Sequence, residues 1–198
     1  MENTSNIDEK PRIQIYEPPG GILIWMIIFV EIITFAAVLS AFIYQRIQQP
    51  EMFNASQHLL NKTIGTINTI ILLTSGYFMA ESLQGLKKGN NSAALKKLLV
   101  TIILGGTFIA LKGFEYSEKV QHGIGLEYNT FFTYYWLLTV FHLLHVLVGL
   151  ILLGFFYFQI KKGLYSASNH EDVETGAAFW HMCDLIWMLI FPTLYLLY

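Results

Sequence analysis

Five long runs of this sequence are almost free of charged residues, and that pattern limits the fold more than any other feature. Residues 22–44 hold one charged side chain, Glu31, and residues 64–80 hold none, with Glu81 following directly. Residues 98–111 are uncharged, residues 129–160 contain no Asp, Glu, Lys or Arg, and residues 175–198 contain only Asp184. A helix needs about 20 mostly apolar residues to cross a bilayer core. The runs are continuous, not the short alternating segments of a β-barrel. The expectation is therefore an all-α polytopic protein with five transmembrane helices. Composition agrees: 13% of residues are charged, where soluble domains carry about 25%. Disorder requires the opposite balance. A net charge of −2 offers no basic patch for nucleic acid. The single cysteine, Cys183, makes no internal disulfide.

Residues 1–20 read as a polar tail and residues 21–198 as one membrane domain. The tail carries Asp8, Glu9 and Glu17, unlike the basic start of a signal peptide. Pro18-Pro19-Gly20-Gly21 marks the boundary before the first segment. The tail and the second and fourth connections hold eight basic residues: Lys10, Arg12, Lys87, Lys88, Lys96, Lys97, Lys161 and Lys162. The opposite side holds four: Arg46, Lys62, Lys112 and Lys119. The positive-inside rule then predicts a cytoplasmic N-terminus and a periplasmic C-terminus. Lys97 and Lys112 are expected to snorkel at the ends of the third segment. Glu115 and Lys119 are expected to pair at i, i+4. Ser168 and Glu171 read as a capping box opening the fifth segment.

Ionisable groups within a bilayer are costly and mark function or contact between helices. Glu31 lies about ten residues into its segment, roughly 15 Å deep at 1.5 Å per residue. It reads either as a proton-exchanging carboxyl or as a neutral group bonded to another helix. His142 and His145 share an i, i+3 spacing, and His181 and Asp184 repeat it. A di-metal bundle asks for two Glu-x-x-His helices and two further Glu residues, which this chain does not supply. Haem ligation asks for histidines at matching depth. His181 reads as lying near one end of its segment, offset by about 10 Å from the other two. No metal is expected, and the His and Asp positions read as structural bonds between helices. Gly105, Gly106, Gly149, Gly154 and Gly176 are candidates for close helix contact. Trp180, Trp187 and Tyr195 read as aromatic-belt residues, and the fifteen Phe mainly as lipid-facing bulk.

The constellation resembles subunit III of the haem–copper (cytochrome c) oxidases, in its five-helix bacterial form. Glu174 followed by Phe179-Trp180-His181 and then Asp184 and Trp187 is similar to that family's Glu, then Tyr-Trp-His-x-x-Asp-x-x-Trp. Thr139, Phe141-His142, His145-Val146 and Gly149 resemble its Thr-Gly-Phe-His-Gly-x-His-Val-x-x-Gly. Glu31 in a Phe-rich helix, Asn68-Thr69 with Leu72 and Ser75, and Glu115-Tyr116 also fit. Val140 and Leu143 stand in place of two glycines, Lys112 stands where many members have Gln, and residues 189–195 depart from the common ending. Those departures resemble the sister branch of accessory subunits linked to nitric oxide reductase.

The resemblance implies a subunit that is not catalytic alone and binds no haem or copper itself. It implies bound phospholipid and a catalytic haem–copper subunit I among further oxidase subunits as partners, in the bacterial cytoplasmic membrane. It implies a place for Glu31 near the oxygen and proton routes. A stand-alone haem or metal enzyme is the alternative from another class. A solute transporter would want inverted repeats and broken helices, which are not visible.

Overall fold

The structure is a computed structural model that describes residues 18–197. Lys10, Arg12 and most of the polar tail therefore lie outside the described residues, as does Tyr198. The described chain forms six helices: α1 (Gly21–Gln48), α2 (Pro50–Gln57), α3 (Lys62–Lys87), α4 (Asn91–Gln121), α5 (Thr130–Lys161) and α6 (Glu171–Tyr195). Five of them are long and apolar enough to cross a membrane. They correspond one to one with the five uncharged runs. The fold is thus the expected all-α polytopic bundle.

Turn chemistry sets the helix boundaries. Asn61, Asn90 and Asn129 cap α3, α4 and α5, each side-chain oxygen accepting an amide hydrogen three residues on. At the other ends Gly89, Gly123 and Gly163 take φ of 75°, 72° and 77°. The residue after each glycine donates back to Gly85, Lys119 or Gln159. This is the αL stop that satisfies the last carbonyls of a helix and that glycine adopts without strain. The expected capping box is not present: α6 begins at Glu171 after His170, with no side-chain cap.

The short helix α2 had no counterpart among the expected elements, because eight residues, half of them polar, give no membrane signal. It starts at Pro50, which pre-sets the first helical φ. Phe53 buries against Phe42 of α1 and Phe131 of α5, with ring centroids 5.1 and 5.7 Å away. Gln57 donates to the Leu194 carbonyl at 3.0 Å, near the C-terminal end of α6, where intrahelical partners run out.

α6 is the central element. It buries thirteen residues against the other helices, whereas α1 buries four. α3 and α4 form a tight antiparallel hairpin, α6 lies against α3 and α5, and α1 packs on the outside against α5 and α6. Small residues set how closely α6 is approached. A Cβ added at Gly105 or Gly149 would stand 2.7 or 2.8 Å from the Trp180 ring, and one at Gly176 would stand 2.3 Å from Phe156. Gly106 and Gly154 have nothing within 4 Å, so only three of the five candidate glycines are contact positions. The expectation for Phe is also corrected. Eight of the fifteen are buried: Phe35, Phe42, Phe53, Phe108, Phe131, Phe132, Phe156 and Phe191. They fill interhelical space instead of facing lipid, Phe156 against Gly176 and Phe191 against Gly65, the others largely against one another and other rings.

Gly149→Val is expected to destabilise the bundle by about 1–3 kcal/mol through overpacking. Gly106→Ala should be close to neutral. Denaturant titration of the two variants in detergent micelles, followed by circular dichroism, checks the contrast.

Candidate functional site

The polar side chains inside the bundle gather in three places, and sequence spacing alone paired only some of them correctly. The first is a fully buried ion pair. Lys112 Nζ donates to Glu115 Oε2 at 3.0 Å and to the Tyr195 hydroxyl at 2.8 Å. Tyr195 donates in turn to Glu115 Oε1 at 2.6 Å, and Tyr135 donates to the same oxygen at 2.8 Å. The ammonium also lies 4.8 Å from the centroid of the Trp187 ring, a cation–π contact. Lys112 is 1% and Glu115 0% exposed. Charges removed from solvent this completely persist only when paired and hydrogen-bonded, and both are. One cluster thereby fastens α4, α5 and α6.

This corrects two expectations. Lys112 does not snorkel: α4 continues ten residues beyond the uncharged run, to Gln121, so Lys112 sits inside the helix and turns inward. Glu115 pairs at i−3 with Lys112, not at i+4 with Lys119. Lys119 instead donates to the Leu59 carbonyl at 2.5 Å, tying α4 to the turn after α2. Tyr195, Trp180 and Trp187 are also not belt residues, since all three are at most 1% exposed. The Trp180 N–H donates to Ser75 and the Trp187 N–H to Thr69, both at 2.9 Å. Both bonds join α6 to α3. A buried indole needs such a partner.

The second place is the meeting of α1 with α5. His145 Nε2 and Glu31 Oε2 are 3.3 Å apart. His145 Nδ1 lies 2.8 Å from the Phe141 carbonyl. A carbonyl only accepts, so Nδ1 carries a hydrogen. Glu31 Oε2 has no hydrogen-bond partner among the described residues, so the two groups are close without forming a hydrogen bond. His142, one turn earlier, faces the other way. It is buried, stacked on Trp187 at 5.2 Å and edge-on to Phe108 at 5.8 Å, and neither ring nitrogen has a hydrogen-bond partner among the described residues, so it packs as a ring and is not the expected bond between helices. The i, i+3 spacing therefore does not bring the two histidines to a common site.

The third place is the face of α6 toward α3. His181 Nδ1 and Asp184 Oδ2 are 3.5 Å apart. Asp184 lies against Gly76, where an added Cβ would stand 2.1 Å from Oδ2. Because α6 starts at Glu171, four residues before the uncharged run, His181 stands about 15 Å from the helix start. Both residues of this contact lie on α6, so it is not the expected bond between helices. Glu174 lies at that start, paired with Lys87 of α3 at 2.7 Å. Among the described residues, no three His, Cys, Asp or Glu side chains are grouped as a metal site would be.

The fold and these clusters define a polytopic membrane protein whose buried polar side chains act mainly as fastenings between helices. The sequence pattern of the cytochrome c oxidase subunit III family matches residues 20–197, and the chain belongs to that family. Cytochrome c oxidase subunit 3 of Rhipicephalus sanguineus is 37% identical over 133 residues, covering 67% of this chain and 50% of that protein. Its counterpart in Thermostichus vulcanus is 33% identical over 135 residues, covering 68% of this chain and 66% of that one. A heme-copper oxidase subunit I+III of Aeropyrum pernix is 28% identical over 178 residues, covering 87% of this chain and 22% of that one. The chain thus spans between half and two thirds of the length of the first two relatives.

Lys112→Met leaves Glu115 buried without its counter-charge, and a loss of about 3–5 kcal/mol is expected. Lys112→Met combined with Glu115→Leu should recover most of that loss. A double-mutant cycle on unfolding in detergent checks both statements. If the double variant is as unstable as the single one, the pair is not the source of the penalty.

Proposed function

We propose that this chain is a non-redox, multi-pass membrane subunit of a haem–copper terminal oxidase. In this reading it holds the catalytic subunit in a durable arrangement and supports sustained, proton-coupled oxygen reduction. The family match over residues 20–197 is the observation that carries the proposal. The relative whose name joins subunit I to subunit III in one protein supports a direct partnership with the catalytic subunit. The reading places no haem or copper in this chain and assigns both metals to the partner. It also includes bound phospholipid, a cytoplasmic N-terminus and a bacterial cytoplasmic membrane.

In this reading Glu31 and His145 exchange one proton at mid-membrane depth. Glu115, Glu174, Trp180 and Trp187 keep the helices in register, and His142 packs within the core. Purification of the tagged chain in mild detergent should bring down a large haem-bearing subunit. An isolated haem spectrum from this chain alone would overturn the reading. Glu31→Gln should leave assembly intact, because α1 keeps its attachments at both ends. Oxygen consumption should then decay faster over successive turnovers. Unchanged inactivation kinetics would remove Glu31 from the mechanism.

A second reading, the accessory subunit of a nitric oxide reductase, has one specific observation in its favour. Two departures from the common oxidase pattern, Lys112 and the ending that contains Tyr195, meet at 2.8 Å. They form one structural unit, as a change characteristic of a branch would. Whether the co-purified complex consumes oxygen or nitric oxide decides between the two.

A further inference from the structure

We infer that the groove between α3 and α6 at His181 and Asp184 seats a transmembrane helix of the partner subunit, one that presents a hydroxyl or amide side chain to the exposed His181 ring. This rests on the oxidase-subunit reading above and adds to it the face that docks. Counted from Thr175, where the uncharged run begins after Glu171, Asp172 and Glu174, His181 and Asp184 lie about 9 and 14 Å in at 1.5 Å per residue, inside a hydrocarbon layer of roughly 30 Å. An imidazole ring has no long stem with which to reach the interface. The His181 side chain is nevertheless 45% exposed on the outside of the bundle. Asp184 is 7% exposed, and its Oδ1 has no hydrogen-bond partner within the chain. Its one close neighbour, His181, stands off at 3.5 Å, too long for a full hydrogen bond. Lipid tails can satisfy neither group, so this face is costly if left to lipid.

The shape of the face fits a helix. A groove of about 360 Å³ runs over Gly76, Ala80, His181 and Asp184, with Tyr77 and Met188 on its rim. Gly76 and Ala80 are four residues apart on α3, the small-x-x-x-small spacing that lets another helix come close. The Asp184 carboxylate closes the floor at Gly76 and is almost inaccessible, so a partner side chain meets the site at the His181 ring. A second copy of this chain would meet the groove with its own groove in an isologous contact, and two concave faces leave both His181 rings unanswered. The remaining exposed faces carry side chains such as Ile33, Ile151 and Phe155, which lipid solvates well.

The test places a photoreactive amino acid at Tyr77, 62% exposed on the rim, or at Ile33, 66% exposed on α1, in the assembled complex. After irradiation, mass spectrometry should find position 77 joined to one transmembrane segment of the haem-bearing subunit, and position 33 joined mainly to lipid. Ala80→Leu fills the floor from an exposed position and should lower cross-linking from position 77 by about tenfold. Adducts from position 77 only to lipid, or to a second copy of this chain, would overturn the docking face. If the haem subunit still co-purifies in that case, the subunit reading survives. Failure of any haem-bearing subunit to co-purify overturns both. Cross-linking unchanged by Ala80→Leu would show that the groove is not the seat.

Discussion

Hydrocarbon offers no hydrogen bonds, so a polar side chain inside the bilayer has to be answered within protein. The Lys112–Glu115 pair is the most demanding case here. Its carboxylate accepts three bonds, from Lys112, Tyr135 and Tyr195, and its ammonium donates two and faces an aromatic ring. Each partner is supplied by a different helix, so the cluster closes only when α4, α5 and α6 sit in one register. A hydrophobic core of the same volume would tolerate sliding of one helix on another. This core does not, because a shift of one residue would strand a charge. Its net contribution to stability over an apolar core of the same volume is small, and its effect is on which arrangement of the three helices is satisfied.

The same logic continues through α6. Trp180 and Trp187 point their indole N–H groups at Ser75 and Thr69, seven and six residues apart along the two helices. This ladder runs down one side of α6, and Gly105 and Gly149 open space for the Trp180 ring. Polar bonds and ring packing therefore use the same two side chains. α3 and α6, which these bonds join, are the two least apolar of the five spans, and part of their polarity is used between them.

The helix count and the helix type were legible in the sequence, since charge exclusion from hydrocarbon acts on every residue of a span. The burial of individual polar residues was only partly legible. Glu31 was recognisable as deep because one charge in 23 residues stands out. Lys112 was misread because it borders its uncharged run, and a run ends where charge begins, not where the helix ends. A lysine at such an edge reads as a snorkelling group until Tyr195, 83 residues away, is known to lie beside it. The i, i+3 histidines failed for a related reason. Three residues advance a helix by about 300°, so the two side chains diverge by some 60°. At a boundary between core and neighbouring helix this sends His142 inward and His145 toward α1. The deep aromatics were invisible as core because belt and core use the same residue types.

α1 stands apart from this tightly keyed bundle, and the way it is held bears on what it can do. With four buried residues it has little apolar area to fix its position. Three polar clasps do so instead. Thr175 donates to the Gly20 carbonyl at one end, and Arg46 donates to Gln57 and Asn54 of α2 at the other. Glu31 and His145 meet between them. The end clasps involve groups that hold their charge or hydrogens at any physiological pH. The middle contact is backed by ring packing, with Phe35 and Phe141 5.4 Å apart beside it. α1 is thus held by bonds at its two ends and by packing at mid-depth, so its place against α5 does not rest on Glu31 alone.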